Sequence, residues 1–157
     1  IDAPIAKPML AIALTLFDAE TSFSLCQKQN EFAEAAISRI TSARPAKTEN
    51  ADFVLAVEGS SGLSRIITTA RSGTLIDPHL GATLIIQSDK LCTGGEIRLT
   101  GPGLASEVFI DTGLGNEWLS ARAEKNREYP LGIDIIIVDR SGLVTALPRT
   151  TVATAEV

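Results

Sequence analysis

The stretch Ile-Asp-Ile-Ile-Ile-Val at residues 133–138 decides the fold. Its apolar residues are all β-branched and do not alternate with polar ones, which is typical of a strand buried on both faces. A sheet built from such strands needs helices on either side. The sequence therefore predicts an α/β protein, a three-layer sandwich around a central sheet.

Further strand-like runs lie on both sides of this stretch. DFVLAV at 52–57 and ATLIIQ at 82–87 are short, apolar and bounded by turn residues. Shorter runs complete the expected strands, at 22–25, 97–100, 108–110 and 143–147. The links at 93–95 (Thr-Gly-Gly) and 140–142 (Arg-Ser-Gly) are typical of hairpins. Because hairpins join antiparallel strands, we expect a mixed sheet.

Apolar residues at helical spacing predict helices between these strands. We expect them over 3–17, from a cap at Asn30 to a stop at Pro45, over 63–70 after a turn at 59–62, and over 116–127. In the second helix the packed face should carry Phe32, Ala36, Ile37 and Ile40. No internal repeat or linker interrupts the pattern, so we expect one domain over residues 1–157.

Composition excludes several classes of protein. The 157 residues are 45% hydrophobic with a net charge of -5, which is enough apolar material for a core without disulfide or metal staples. Lys and Arg are scattered singly, so a nucleic-acid-binding face is not expected. The apolar run at 9–17 is too short to span a membrane, lacks a charged leader and is followed by acidic residues. We expect a cytoplasmic protein with no membrane partner.

Metal and covalent chemistry have little support in the residue content. Cys26, Cys92 and the single His79 are too few and too widely spaced for a structural zinc site. Unpaired cysteines of this kind fit a reducing compartment. No lysine lies in an apolar setting suited to a Schiff base, and no acid, base and nucleophile group together around His79. We therefore expect no catalytic residue, metal or cofactor.

Two short motifs offer groups that can bind an anion. Gly101 and Gly103 follow the strand-like EIRLT, beside Arg98 and Thr100, and such a loop can present backbone amides to a phosphate. It lacks the third glycine of a dinucleotide fingerprint and the Lys of a P-loop, which favours a structural turn. Arg149 and Thr150 follow a predicted strand, and Arg98 could join them to bind a phosphate or carboxylate. A salt bridge or a subunit contact explains the same residues and is the favoured interpretation.

Asp134 is the polar residue inside the decisive strand. An ionised carboxylate is costly to bury, so we expect Asp134 to be mostly buried and held by Arg98, Arg149 or backbone amides. A general base is the alternative interpretation.

Four stretches resemble the PhnH family of phosphonate-metabolism proteins. They are GTLIDPHLGATLIIQ (73–87), GGEIRLTGPGL (94–104), YPLGIDIIIV (129–138) and ALPRTT (146–151), with weaker similarity at 14–25. The resemblance implies a fold similar to the large domain of pyridoxal-phosphate-dependent transferases, without that cofactor. The resemblance also implies a further helical segment at the start of family members, which we expect to be missing from residues 1–157.

The resemblance also implies a role. PhnH proteins assemble with PhnG, PhnI and PhnJ into the carbon-phosphorus lyase core complex, which forms ribose 1-alkylphosphonate 5-triphosphate from ATP and a phosphonate. An accessory, non-catalytic subunit, homodimeric when alone, fits the missing catalytic groups. The alternative is a subunit with its own phosphate or nucleotide site at Arg98, the 101–103 turn, Arg149 and Thr150.

Overall fold

The computed structural model describes residues 5–26, 31–57 and 62–156. Its helices are α1 (Lys7–Leu16), α2 (Glu31–Thr41), α3 (Leu63–Thr69) and α4 (Trp118–Lys125), with a short 3-10 helix at Pro78–Leu80. Its strands are β1 (Ser22–Cys26), β2 (Arg44–Pro45), β3 (Phe53–Ala56), β4 (Thr83–Ser88), β5 (Cys92–Thr100), β6 (Val108–Asp111), β7 (Asp134–Asp139), β8 (Val144–Leu147) and β9 (Val152–Ala155). The predicted α/β class is confirmed.

The main sheet has six strands in the order β2-β1-β3-β4-β7-β8. All neighbours pair in parallel except β7 and β8, which are antiparallel. The hairpin predicted at 140–142 joins these two strands, so the expectation of a mixed sheet is confirmed. The decisive stretch forms β7, which lies inside the sheet between β4 and β8.

Each face of the main sheet packs against different elements. On one face, α1 and α2 bury Met9 and Ile37 against sheet residues that include Leu55 and Ile85. On the other face, α3, α4 and a small second sheet share a larger apolar core with residues such as Ile135. Burial on both faces explains why the strands carry uninterrupted apolar runs.

The second sheet is a departure from the prediction. It is antiparallel, in the order β6-β5-β9, and β9 was not expected from its short Val-Ala-Thr-Ala sequence. The hairpin predicted at 93–95 is wrong, because this segment lies inside β5, where a bulge between Thr93 and Ile97 shifts the register with β6. A Cβ at Gly95 would lie 2.3 Å from the backbone of Ile110 and Asp111, so the glycine serves a close strand contact rather than a turn.

The second helix is rotated relative to the prediction. Ala33, Ile37 and Thr41 face the core, whereas Phe32 and Ile40 are exposed. The actual buried stripe has the same helical period as the predicted one, displaced by one residue. The Asn30 cap and most of the 59–62 turn lie outside the described residues.

Candidate functional site

Arg149 lies in the turn after β8, where its guanidinium is almost fully engaged by the protein. Its Nη2 lies 2.7 Å from Asp134 Oδ2, and Nε lies 3.4 Å from Oδ1. Nη1 donates to the carbonyls of Pro78 and Pro130, at 2.9 and 3.0 Å. These contacts use four of the five N–H groups of the guanidinium, so Arg149 has little capacity left for a ligand.

Asp134 is the first residue of β7 and pairs with Arg149, one of the two partners that the sequence predicts. It also accepts a hydrogen bond of 2.7 Å from the backbone N–H of Arg149. Its side chain is 35% exposed, against 15% for Arg149. Asp134 is therefore less enclosed than the sequence predicts, with an intermediate burial, because the residue stands at the end of the strand.

Arg98 takes part in a different cluster from Arg149. It lies on β5 of the small sheet and pairs with Glu107 on one side, at 3.1 Å, and with Glu156 on the other, at 2.8 Å. Arg98 is thus not the partner of Asp134, and its charge is already balanced by two carboxylates.

The loop at 101–103 forms a turn closed by a hydrogen bond from Leu104 N–H to the Gly101 carbonyl. Gly101 has a φ of +133°, and a Cβ there would lie 2.9 Å from the carbonyl oxygen of Thr150. Thr100 pairs with Val152 in the ladder between β5 and β9. The structure therefore brings Thr100, Gly101 and Thr150 together, as strand end and turn, and leaves Gly103 open to solvent.

Sequence reasoning missed Arg122, the most buried charged residue of this region. It lies on α4, is only 3% exposed and donates to the carbonyls of Leu147, Pro148 and Thr151. Burial lowers the pKa of Arg122, while the charge of Asp134 raises it. Its spacing from the buried Trp118 and Leu119 was a signal that could have placed it on the packed face of the helix.

A second Asp-Arg pair lies at the start of β3, which β4 separates from β7 in the main sheet. Asp52, just before β3, accepts hydrogen bonds from Ser22 and Arg71. Burial alone would raise the pKa of Asp52, but the hydroxyl and N–H of Ser22 and the charge of Arg71 bring it below its usual value. Arg71 also donates to the Leu80 carbonyl, so it holds the same 72–81 loop that Arg149 holds through Pro78.

At the opposite edge of the sheet, Asp139 organises the hairpin between β7 and β8. Its carboxylate accepts hydrogen bonds from Ser141 N–H and hydroxyl, from Leu143 N–H and from Leu91 N–H. Led by the Ser141 hydroxyl, these bonds lower the pKa of Asp139 to about 2. Ligands of open α/β sheets bind at this carboxyl edge, but the 27–30 and 58–61 loops that follow β1 and β3 there lie outside the described residues.

The remaining titratable groups form no catalytic arrangement in the described ranges. His79 is exposed in the loop at the amino-terminal edge. Lys125 donates to the Thr68 carbonyl, and burial lowers its pKa, which the sequence did not indicate. Within residues 5–26, 31–57 and 62–156, no group of three His, Cys, Asp or Glu side chains is placed to hold a metal ion. In the same ranges no helix is long and apolar enough to cross a membrane.

Comparison of the chain with known protein families gives the same family as the sequence motifs described above. Residues 2–154 match the model of the bacterial phosphonate metabolism protein family (PhnH). The chain belongs to the PhnH family. The four stretches that resemble the family, 73–87, 94–104, 129–138 and 146–151, lie in and around β4, β5, β7 and the end of β8.

A curated relative from Stutzerimonas stutzeri is named "Putative C-P lyase subunit protein HtxG". It is 38% identical over 109 residues, which make up 69% of this chain and 53% of the relative. The chain thus spans about half the length of this relative. Membership of the PhnH family and this likeness support a subunit role in phosphonate metabolism.

Proposed function

We propose that this chain is an accessory, non-catalytic subunit of the carbon-phosphorus lyase core complex in alkylphosphonate catabolism. In that role it binds the core subunits PhnG, PhnI and PhnJ and supports formation of ribose 1-alkylphosphonate 5-triphosphate from ATP and a phosphonate. The family match over residues 2–154 and the name of the relative, a putative C-P lyase subunit protein, support this role.

The non-catalytic role is supported by one observation: the arginines of this region already bind groups of the protein itself. Arg149 is bound by Asp134 and two carbonyls, Arg122 by three carbonyls, and Arg98 by two glutamates. A guanidinium that has already formed these bonds must break them to bind a phosphate. These side chains are therefore better suited to fixing a surface than to binding substrate.

The alternative is a phosphate or nucleotide site of the chain's own. Arg98 is its strongest candidate, because its side chain is 41% exposed and its glutamate partners are about half exposed. Exposed ion pairs are weak, so an incoming anion could replace one of these glutamates.

The test is an assay of adenine release from ATP and methylphosphonate. We expect none from the purified protein, release from the complete set of core subunits, and reduced release when this subunit is omitted. Release by the protein alone would overturn the non-catalytic role. In the assembled complex, Arg98→Ala should leave the KM for ATP and phosphonate unchanged, and a several-fold rise in either KM with normal assembly would favour the alternative site.

The proposal includes the remaining expectations from the sequence. We propose a single domain over residues 1–157, a fold similar to the large domain of pyridoxal-phosphate-dependent transferases, a homodimer in the absence of other subunits, and a cytoplasmic location. The free thiols of Cys26 and Cys92 support the location. Sedimentation of the purified protein tests the homodimer. Its absorbance spectrum tests for pyridoxal phosphate, and we expect no aldimine band.

A further inference from the structure

Strand β8 forms one edge of the main sheet, and its outer side has no neighbouring strand in the described part of the chain. Asp139 N–H donates to the Leu143 carbonyl, which fixes every second pair of the hairpin as hydrogen-bonded. By this alternation Thr145 and Leu147 bond to β7, whereas the N–H and C=O of Val144 and Ala146 point outward. The edge therefore presents outward N–H and C=O groups to which a further strand could form hydrogen bonds.

The other sheet edges in the described residues carry the usual protection against strand addition. β2 has only two residues, Arg44 and Pro45, and proline cannot donate to a ladder. In the small sheet, β6 ends in the charged Asp111, and β9 is followed directly by the charged Glu156. β8 has the sequence Val-Thr-Ala-Leu, with no charge, proline or bulge. An edge without these devices is suited to pairing with another strand.

An apolar groove runs beside this edge, on the face of the sheet that α1 covers. It is lined by Pro8, Ile12 and Leu16 of α1 together with Ile136 and Val144, and it has a volume of about 420 Å³. None of the described residues that line it is charged. Because alternate residues of a strand point to the same face, a strand added to β8 would place every second side chain in this groove.

We propose that β8 and this groove bind an extended, uncharged segment of another subunit, which adds to the main sheet as a further strand. Main-chain bonds to Val144 and Ala146 would supply affinity, and apolar side chains at alternate positions would fill the groove. The inference rests on the subunit role proposed above. A second copy of the chain fits less well, because two-fold pairing of β8 brings groove against groove and leaves both unfilled.

Two substitutions test this surface without removing a backbone hydrogen bond between β8 and β7. Val144→Lys places a charge in the groove, and Ala146→Pro removes an outward N–H that β7 does not use. The matched control is Val152→Lys, since Val152 also begins a four-residue edge strand and is 55% exposed, compared with 53% for Val144. Circular dichroism and urea midpoints should show that all three variants fold.

The experiment mixes the full-length protein with PhnG, PhnI and PhnJ from the same organism and measures assembly together with amide hydrogen exchange. We expect the parent and Val152→Lys to assemble equally, and at least a tenfold loss of affinity for Val144→Lys and Ala146→Pro. The amides of Val144 and Ala146 should exchange rapidly in the isolated protein and at least tenfold more slowly in the assembly.

Assembly that neither β8 variant weakens, with unprotected amides, would overturn the inference and leave the subunit role intact. A protein that is dimeric by itself with these amides already protected would overturn it in favour of a second copy. Failure of the parent to assemble with any of the three subunits would overturn both the subunit role and the inference.

Discussion

Arg149 and Asp134 are joined at three points at the amino-terminal edge of the main sheet. The guanidinium meets both carboxylate oxygens, and the Arg149 backbone N–H donates to Oδ1 at 2.7 Å. The same guanidinium holds the carbonyls of Pro78 and Pro130. Two loops and the start of β7 therefore share one side chain, and this explains why three separate sequence motifs meet in space.

Removal of either partner should destabilise the fold, and removal of Arg149 should cost more. Arg149→Ala leaves a partly buried carboxylate and two carbonyls without their donor, so we expect a loss of about 2 to 3 kcal/mol in the free energy of unfolding. Asp134→Ala should cost about 1 to 2 kcal/mol, because solvent screens a pair whose carboxylate is 35% exposed. Urea denaturation at neutral pH measures both.

Arg98→Ala is the control for this pair of variants. It removes a more exposed guanidinium with two carboxylate partners and should cost less than about 1 kcal/mol. Equal losses for Arg98→Ala and Arg149→Ala would contradict the role assigned to Arg149.

Gly81 is packed directly against the Arg149 cluster. A Cβ at this position would lie 2.3 Å from the Gly132 carbonyl oxygen and about 3 Å from the Arg149 guanidinium. We expect Gly81→Ala to force the two loops apart and to cost about 1 to 3 kcal/mol, the usual range for overpacking. Thermal unfolding of the variant measures this.

Gly103→Ala is a useful comparison, because a Cβ added to Gly103 would have no atom within 4 Å beyond its two chain neighbours. Its φ of +87° leaves only backbone strain of about 1 to 2 kcal/mol.

A double variant tests whether Gly81 and Arg149 are coupled. If Gly81→Ala/Arg149→Ala loses the full sum of the two single losses in stability, the two residues are not coupled.

The main sheet could be predicted because its signal is local. The runs at 84–86 and 135–138 are apolar throughout, and burial on both faces makes such runs favourable. The small sheet could not be predicted in the same way. Its bulge depends on the contact of Gly95 with a strand that follows later in the chain, and β9 acquires its conformation by pairing with β5. Pairing between distant segments leaves little trace in either segment alone.

The candidate site was predictable only where chemistry demands a partner. A carboxylate in an apolar strand needs a partner, and the two arginines predicted for Asp134 include the one that pairs with it, Arg149. Nothing in the sequence separates Arg98 from Arg149, because the glutamates that pair with Arg98 lie 9 and 58 positions further along the chain. Arg122 bonds only to carbonyls, which every residue possesses, so its partners have no sequence signature.

Arg122 should be the charged residue most sensitive to substitution. Arg122→Leu removes the donor for three carbonyls in the 147–151 turn, and each buried group left unpaired costs about 1 to 3 kcal/mol. We expect a total loss of at least about 3 kcal/mol in urea denaturation. Arg127→Leu is the matched control on the same stretch of chain, since this side chain is 66% exposed and should cost less than about 1 kcal/mol. A loss of less than about 1 kcal/mol for Arg122→Leu would show that the turn keeps its shape without the guanidinium.

Acid should weaken the fold through Asp139. The pKa of this carboxyl is lowered from 3.8 to about 2, chiefly by the Ser141 hydroxyl, so the folded protein binds fewer protons than the unfolded chain between these values. The stabilisation is therefore complete above about pH 4 and is lost as the pH falls towards 2. We expect Asp139→Asn to be less stable than the parent at pH 7, and the urea midpoints of the two proteins to converge as the pH falls from 4 to 2. Asp89→Asn, which removes a carboxylate that is 90% exposed, is the control and should follow the parent across this range. Parallel curves for the parent and Asp139→Asn would show that the bonds to Ser141, Leu143 and Leu91 do not depend on the charge of the carboxylate.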